Sequence, residues 1–315
     1  MQFKISTLGP NDKNTNNLAS ENFGQEIKSP MEVFWREFGQ NFLDVGAAVP
    51  HQPKKLKIEL KKVSDLKNQT YVEDALNPTL SWLDAAGRPN PKGLKDPYIL
   101  VLYEENTIGL CGETDPVTEN REDQFWVNFW FTEGKPTKTG DKNGRRGQGK
   151  ITYFDRSYFQ TLFAVTKRAD DDKTLLFGMC SLGGTFHMGG NRYHDAAYFC
   201  EEDAEGKYRP SDDKTVIQDF EDAFEIKPRV NYGTTWVLPF VSKDKLDKKS
   251  IHEVLIQEYY FAILEEKLEV DVLGEALGFS TIDAIIDRYS MENPSNWNSK
   301  VLPYNTFFSA LFLSQ

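Results

Sequence analysis

Six consecutive residues, Tyr98-Ile99-Leu100-Val101-Leu102-Tyr103, carry no charge and almost no polarity. Successive side chains of a strand point to opposite sides, so a strand that is apolar throughout belongs in the middle of a sheet rather than at its rim. The run ends at Glu104-Glu105 and leads directly into Asn106-Thr107-Ile108-Gly109-Leu110-Cys111-Gly112, where glycines allow the chain to bend sharply. An acid at such a strand end can accept a hydrogen bond from an exocyclic amine while the chain curves around a base, although a plain loop would have the same composition.

The other elements read from periodicity and punctuation. Ser29-Pro30-Met31-Glu32 offers an N-cap serine, a proline at the first helical position and a glutamate placed for a capping box, ahead of a helical run over residues 33–45 that Gly46 stops. Strands are expected over residues 55–63, 124–131, 175–182, 193–200, 234–240 and 268–272, and helices over 71–86, 149–163, 216–224, 249–267 and 281–289. This succession predicts an α+β fold, a two-layer α/β sandwich with a mixed sheet. Three segments are expected: a polar N-terminal arm (1–29), a main domain (30–244) and a helix-strand-helix appendage (245–315) that reads as a truncated following domain.

A chain of 315 residues with 39% hydrophobic content can bury one large core or two modest ones. No apolar run is long enough to span a membrane, and the start lacks the basic and apolar stretches of a signal peptide, so the cytoplasm is the default compartment. Cys111, Cys180 and Cys200 are an odd count without CxxC spacing and read as reduced thiols. The net charge of -11 repels phosphate backbones, so any contact with DNA needs a partner or a local patch. The densest basic stretch, Lys54 to Lys62, alternates with Leu56, Ile58 and Leu60, as expected of a half-buried strand with a solvated lysine face.

Three polar side chains on the first helix, Glu37, Asn41 and Asp44, are spaced by four and three and share one face. A stripe of acid, amide and acid on a helix rich in Phe and Trp is either a solvated face or a ligand face. As a ligand face, Asn41 supplies a hard oxygen for magnesium and Glu37 a carboxylate to orient or deprotonate water. Gly144-Arg145-Arg146-Gly147-Gln148-Gly149-Lys150, opening a helix, has the form of a phosphate cradle, yet it lacks the Walker spacing because Ile151 follows the lysine. A flexible hairpin loop would look alike.

Taken in order, the acid-amide-acid helix, the apolar strand ending in acid and glycines, the glycine loop entering a helix and the late Gly233-Thr234-Thr235 resemble the boxes of GHKL ATPases, the group of gyrase B, heat-shock chaperones, histidine kinases and MutL. Trp35 to Asp44, Asn106 to Gly112, Asn128-Phe129-Trp130 with Glu133-Gly134-Lys135, and Thr235 to Phe240 with Tyr259 to Leu264 are similar to a bacterial group of gyrase B- and heat-shock-chaperone-like ATPases, over about residues 30 to 272. The resemblance implies a Bergerat ATP-binding fold and Mg2+-dependent hydrolysis of ATP as a conformational or dimerisation switch, with a homodimer mate or partner protein as client and DNA as a further candidate. It implies Glu37 as catalytic base, Asn41 as magnesium ligand, and Asn41, Asp44, Glu104, Thr107, Gly109, Gly112, Gly144, Gly147, Gly149, Lys150 and Thr234 as ATP-binding residues. The family's adenine-binding aspartate is replaced here by Glu104, with Glu105 as the alternative register.

Two rival functions compete. A histidine kinase needs an acceptor, and His252-Glu253 reads as an ordinary helical pair; a nucleotide-sensing module would bind without turnover. His187 and His194, around Gly189-Gly190, read as flanking a turn between strands. Related enzymes use a lysine from a following transducer domain, which has no identifiable counterpart here; a role in bacterial defence or DNA processing is implied by analogy alone.

Overall fold

The uncharged run becomes the strand that organises the molecule. A computed structural model of the protein describes residues 1–15, 30–89, 91, 94–119, 121, 123–132, 150–244 and 246–292. The strands are β1 (Gln2–Lys4), β2 (Lys54–Lys62), β3 (Tyr98–Glu105), β4 (Thr161–Lys167), β5 (Thr174–Ser181), β6 (Phe186–Met188), β7 (Asn191–Tyr193), β8 (Ala196–Glu202), β9 (Tyr208–Arg209), β10 (Gly233–Val241), β11 (Leu268–Val272) and β12 (Glu275–Leu277). The helices are α1 (Pro30–Asp44), α2 (Gln69–Ala85), α3 (Phe125–Trp130), α4 (Ile151–Phe154), α5 (Lys214–Ala223), α6 (Lys248–Leu264) and α7 (Ile282–Glu292).

One large sheet runs in the order β1-β8-β5-β4-β10-β3-β2-β11-β12, with β9 added on β8. It is mixed, because β11 lies parallel to β2 while β3 is antiparallel to both of its neighbours, β2 and β10. The protein is thus α+β around a mixed sheet. Leu100 and Leu102 of β3 point into a core shared with α1, α3, α4, α6 and α7, whereas Ile99, Val101 and Tyr103 point into a second core with α2 and α5. Alternation within one apolar strand therefore feeds both cores, and helices lie over both faces of the sheet.

Several elements differ from expectation. Residues 124–131 form a helix, since Trp126, Val127 and Trp130 are the buried positions, a helical spacing that aromatic content disguises as a strand. The helix expected over 149–163 stops after one turn at Phe154; Gln160 adopts φ 49°, and the chain then enters β4. The N-terminal segment adds β1 to the sheet beside β8, with Phe3 buried. Residues beyond 245 contribute α6, which packs on α1, and β11, which continues the same sheet. Ser29, the expected N-cap of α1, lies outside the described residues. No helix among the described residues is long and apolar enough to cross a membrane.

Candidate functional site

α1 buries Phe34, Trp35, Phe38 and Phe42 and carries Glu37, Asn41 and Asp44 along the flank of that buried face. Glu37 is partly covered and accepts hydrogen bonds from its neighbour Arg36 at 3.1 and 3.3 Å. Asn41 and Asp44 are exposed, so the polar stripe emerges from the protein as it runs towards the helix C-terminus. Asn41 Nδ2 donates to the Tyr153 hydroxyl at 3.0 Å. Tyr153, on α4, is buried, and burial together with the nearby charges of Glu104 and Glu37 raises its pKa well above the ordinary tyrosine value, so the hydroxyl keeps its proton.

Glu104 lies at the end of β3 on the side of Leu100 and Leu102, towards α1, and is 5% exposed. Trp236 Nε1 donates to its carboxylate at 2.7 Å. Burial pushes this acid up to about 7, against the lowering effects of that hydrogen bond and of the Arg229 and Lys54 charges. Arg229 itself donates to the main-chain oxygen of Glu104 rather than to the carboxylate. Glu105, next along the strand, is exposed on the other side. Of the two registers open in the sequence, Glu104 is the acid that faces inward.

Around Glu104 sits a group of small hydroxyls. The β3–β10 register places Thr235 opposite Tyr103, and hence Thr234 opposite Glu104. Thr234 is buried, and its hydroxyl lies 3.0 Å from that of Thr166 on β4, which also accepts from Leu110 N–H at 3.0 Å. Thr107 is fully buried and its Oγ1 has no hydrogen-bond partner among the described residues. Unlike its neighbours on the exposed side of β2, Lys54 is buried: it donates to Phe42 O at 3.3 Å and Leu43 O at 2.5 Å, capping the carbonyl end of α1.

The loop after β3 is pinned on both flanks. The Asn106 side chain donates to the carbonyls of Val49, Gln52 and Pro53, and Gly112 N–H donates to Asp170 at 2.8 Å. Gly109 and Gly112 have φ 72° and 101°, and a Cβ at either would collide, at Gly109 with Lys167 O and at Gly112 with Gln124. Their lack of a side chain lets the loop lie against the turn joining β4 and β5 and against the start of α3.

Gly144, Gly147 and Gly149 lie outside the described residues. Lys150 is buried, and its ammonium donates to Phe129 O at 2.8 Å and Thr132 O at 2.7 Å, closing the C-terminal end of α3. A cleft of about 910 Å³ opens beside Gly112, between Glu113, Gln124, Arg168, Asp170 and Arg209. It does not reach Glu37, Asn41, Glu104 or Thr234. Between those four, the rings of Tyr153 and Trp236, with centroids 6.2 Å apart, fill the interior. Tyr153, Trp236, Lys54 and Thr166 thus join the sequence-derived set.

The remaining sequence candidates are structural. His252 is buried with Nδ1 3.2 Å from the Tyr289 hydroxyl, and burial lowers it to about 4, so its ring is neutral at pH 7. His187 sits in the β6–β7 hairpin beside the Gly189-Gly190 turn. The lysines of β2 are paired: Lys55 with Glu269, Lys57 and Lys61 with Glu59, and Lys62 with Asp96.

No protein-family model and no curated protein matches the chain. Solved structures do. The ATPase region of Saccharomyces cerevisiae topoisomerase II bound to ICRF-187 (dexrazoxane) is similar at TM-score 0.37 and 11% identity, over 81% of this chain and 51% of that one. The ATPase region of Saccharomyces cerevisiae topoisomerase II in a second structure gives 0.35 and 10%, over 82% and 53%. The ATPase and transducer domains of DNA topoisomerase II from Balamuthia mandrillaris give 0.38 and 12%, over 81% and 50%. The chain spans about half the length of each of these structures.

Proposed function

We propose that this chain binds ATP with Mg2+ where the ends of α1, β3 and β10 meet, and hydrolyses it slowly as a conformational or dimerisation switch of the GHKL kind. The observation that carries the proposal is Glu104: a buried acid whose carboxylate is held by an indole N–H and, among the described residues, is hydrogen-bonded to no cationic side chain, opposite Thr234 and facing the helix that bears Glu37 and Asn41. Acids buried without a counter-ion are costly and concentrate at functional sites. In the bound state Glu104 accepts from the adenine amino group, Thr234 and Thr166 support the base, and the Tyr153 and Trp236 rings give up the space they fill.

Asn41 uses its amide N–H on Tyr153 and keeps its carbonyl oxygen for a hard cation, which fits a magnesium ligand. A bound Mg2+ supplies positive charge to the phosphates. Glu37 has one oxygen on Arg36 and a second to orient a water. The glycine loop and Lys150 belong to the proposed phosphate contacts, and for Lys150 this requires leaving its carbonyl partners on α3. The client is a partner protein or a second copy of the chain. With the β2 lysines already paired, DNA contact would come through that partner.

Turnover measured with purified protein tests the proposal. Glu37→Ala should abolish ATP hydrolysis and leave ATP affinity within about threefold, since ground-state contacts come from other residues. Equal loss of binding would make Glu37 structural. Binding without turnover in the wild type is the second reading, favoured by the Arg36–Glu37 pair, because that pair occupies one carboxylate oxygen of the proposed base.

A further inference from the structure

α6 departs from helical geometry at one residue, Tyr259, with φ −125° and ψ 17°. At that residue it packs directly against α1. The Tyr259 hydroxyl donates to the Arg36 carbonyl oxygen and also meets the Gln40 N–H, while the ring lies over Gly39, where a Cβ would collide with it. In an α-helix, the carbonyl of residue 36 and the N–H of residue 40 are each other's natural partners. The hydroxyl therefore sits on a single rung of α1, and that rung encloses Glu37 and ends one residue before Asn41. Tyr259 is buried, and the charge of Glu37 reaches its hydroxyl.

We infer that Tyr259 is a positioning residue for the ATPase site: through the 36–40 rung it sets the separation and orientation of Glu37 and Asn41, so α6 controls turnover without touching nucleotide. The inference rests on the function proposed above. Ring and hydroxyl have separate jobs, since the ring fills the notch at Gly39 and the hydroxyl holds the rung. Removing only the hydroxyl leaves the packing of the two helices in place and loosens the turn.

The test compares wild type and Tyr259→Phe in steady-state ATP hydrolysis, in calorimetric titration with a non-hydrolysable ATP analogue, and in amide exchange of residues 37–41. The expected result is a kcat lowered about tenfold, as sub-ångström misplacement of catalytic groups produces, with analogue affinity changed less than about twofold. Exchange in the turn should accelerate while the melting temperature stays close to that of wild type. Gly39→Ala, which pushes the same ring away from the opposite side, should lower kcat in the same direction. A wild type that hydrolyses ATP while Tyr259→Phe keeps its kcat overturns the inference alone. A wild type without turnover overturns the ATPase proposal and this inference with it.

Discussion

Two acids on neighbouring strands meet opposite fates. Glu59 on β2 lies between Lys57 at 2.8 Å and Lys61 at 3.4 Å and accepts from the Tyr103 hydroxyl at 3.1 Å; these partners lower its pKa despite partial burial. Glu104 on β3 is more deeply buried, has one indole donor, and is raised to about 7. The first acid is satisfied by the fold, as structural ion pairs are. The second is left wanting a donor on the side of the sheet that carries Glu37 and Asn41. A paired acid explains itself through packing, whereas an underpaired buried one points to a ligand.

The comparison is open to attack through pH, because the two acids push stability in opposite directions. For Glu104 the folded pKa lies above the unfolded value of about 4.5, so the folded state binds the extra proton and stability falls as pH rises from about 4.5 to 7. Glu104→Gln should remove that decline, a difference of about 3 kcal/mol at most in urea unfolding between pH 4.5 and pH 8. Parallel curves for the two proteins would show that Glu104 is not the strained acid.

A smaller effect concerns ligand choice. ATP should outcompete GTP by about 1–3 kcal/mol, roughly ten- to a hundredfold, since a carboxylate that accepts from the adenine amino group repels the carbonyl oxygen guanine presents there. Calorimetry should find this preference kept in Glu104→Asp, eroded in Glu104→Ala and untouched in Glu59→Gln. Equal binding of both nucleotides by the wild type would remove Glu104 from base reading.

The smallest effect is that of Glu59→Gln, at most about 1 kcal/mol above pH 5, the usual worth of a partly exposed pair. Its sign is reversed. The pKa of Glu59 is depressed, so its contribution is present above the unfolded value and lost as pH falls through the folded one. Wild type and variant should therefore converge in acid, and divergence there would contradict the pairing.

Much of this was legible in the sequence, for identifiable reasons. The uncharged run announced β3, and four-three spacing placed Glu37, Asn41 and Asp44 on one side of α1. Trp126 and Trp130 were misread because six residues rich in aromatics satisfy strand preference as well as helical spacing, and only burial separates the two. The start of β4, residues 161–163, reads as the end of a helix because the break before it is Gln160, which tolerates φ 49° without the signature of glycine. In the linear sequence Lys54 reads as part of a solvated lysine face and Lys150 as a phosphate contact, yet both turn inward onto main-chain carbonyls that neighbouring elements bring within reach. Tyr153 gives no signal, and Trp236 gives one only as part of the Thr235 to Phe240 segment, because an aromatic residue next to a polar site has the composition of ordinary core.

The parallel pairing of β11 with β2 joins segments more than two hundred residues apart. On the ribosome, β2 therefore waits as an open sheet edge while most of the chain is still being made, able to recruit a stray strand from another nascent molecule. Lys55 stands at that edge without an acid of its own strand, since Lys57 and Lys61 pair with Glu59 and Lys62 with Asp96, so a foreign strand would meet an uncompensated charge there. When β11 arrives it brings an acid, Glu269, for Lys55. A charge on an open edge disfavours wrong pairing, and the Lys55–Glu269 pair removes that penalty for the native partner alone.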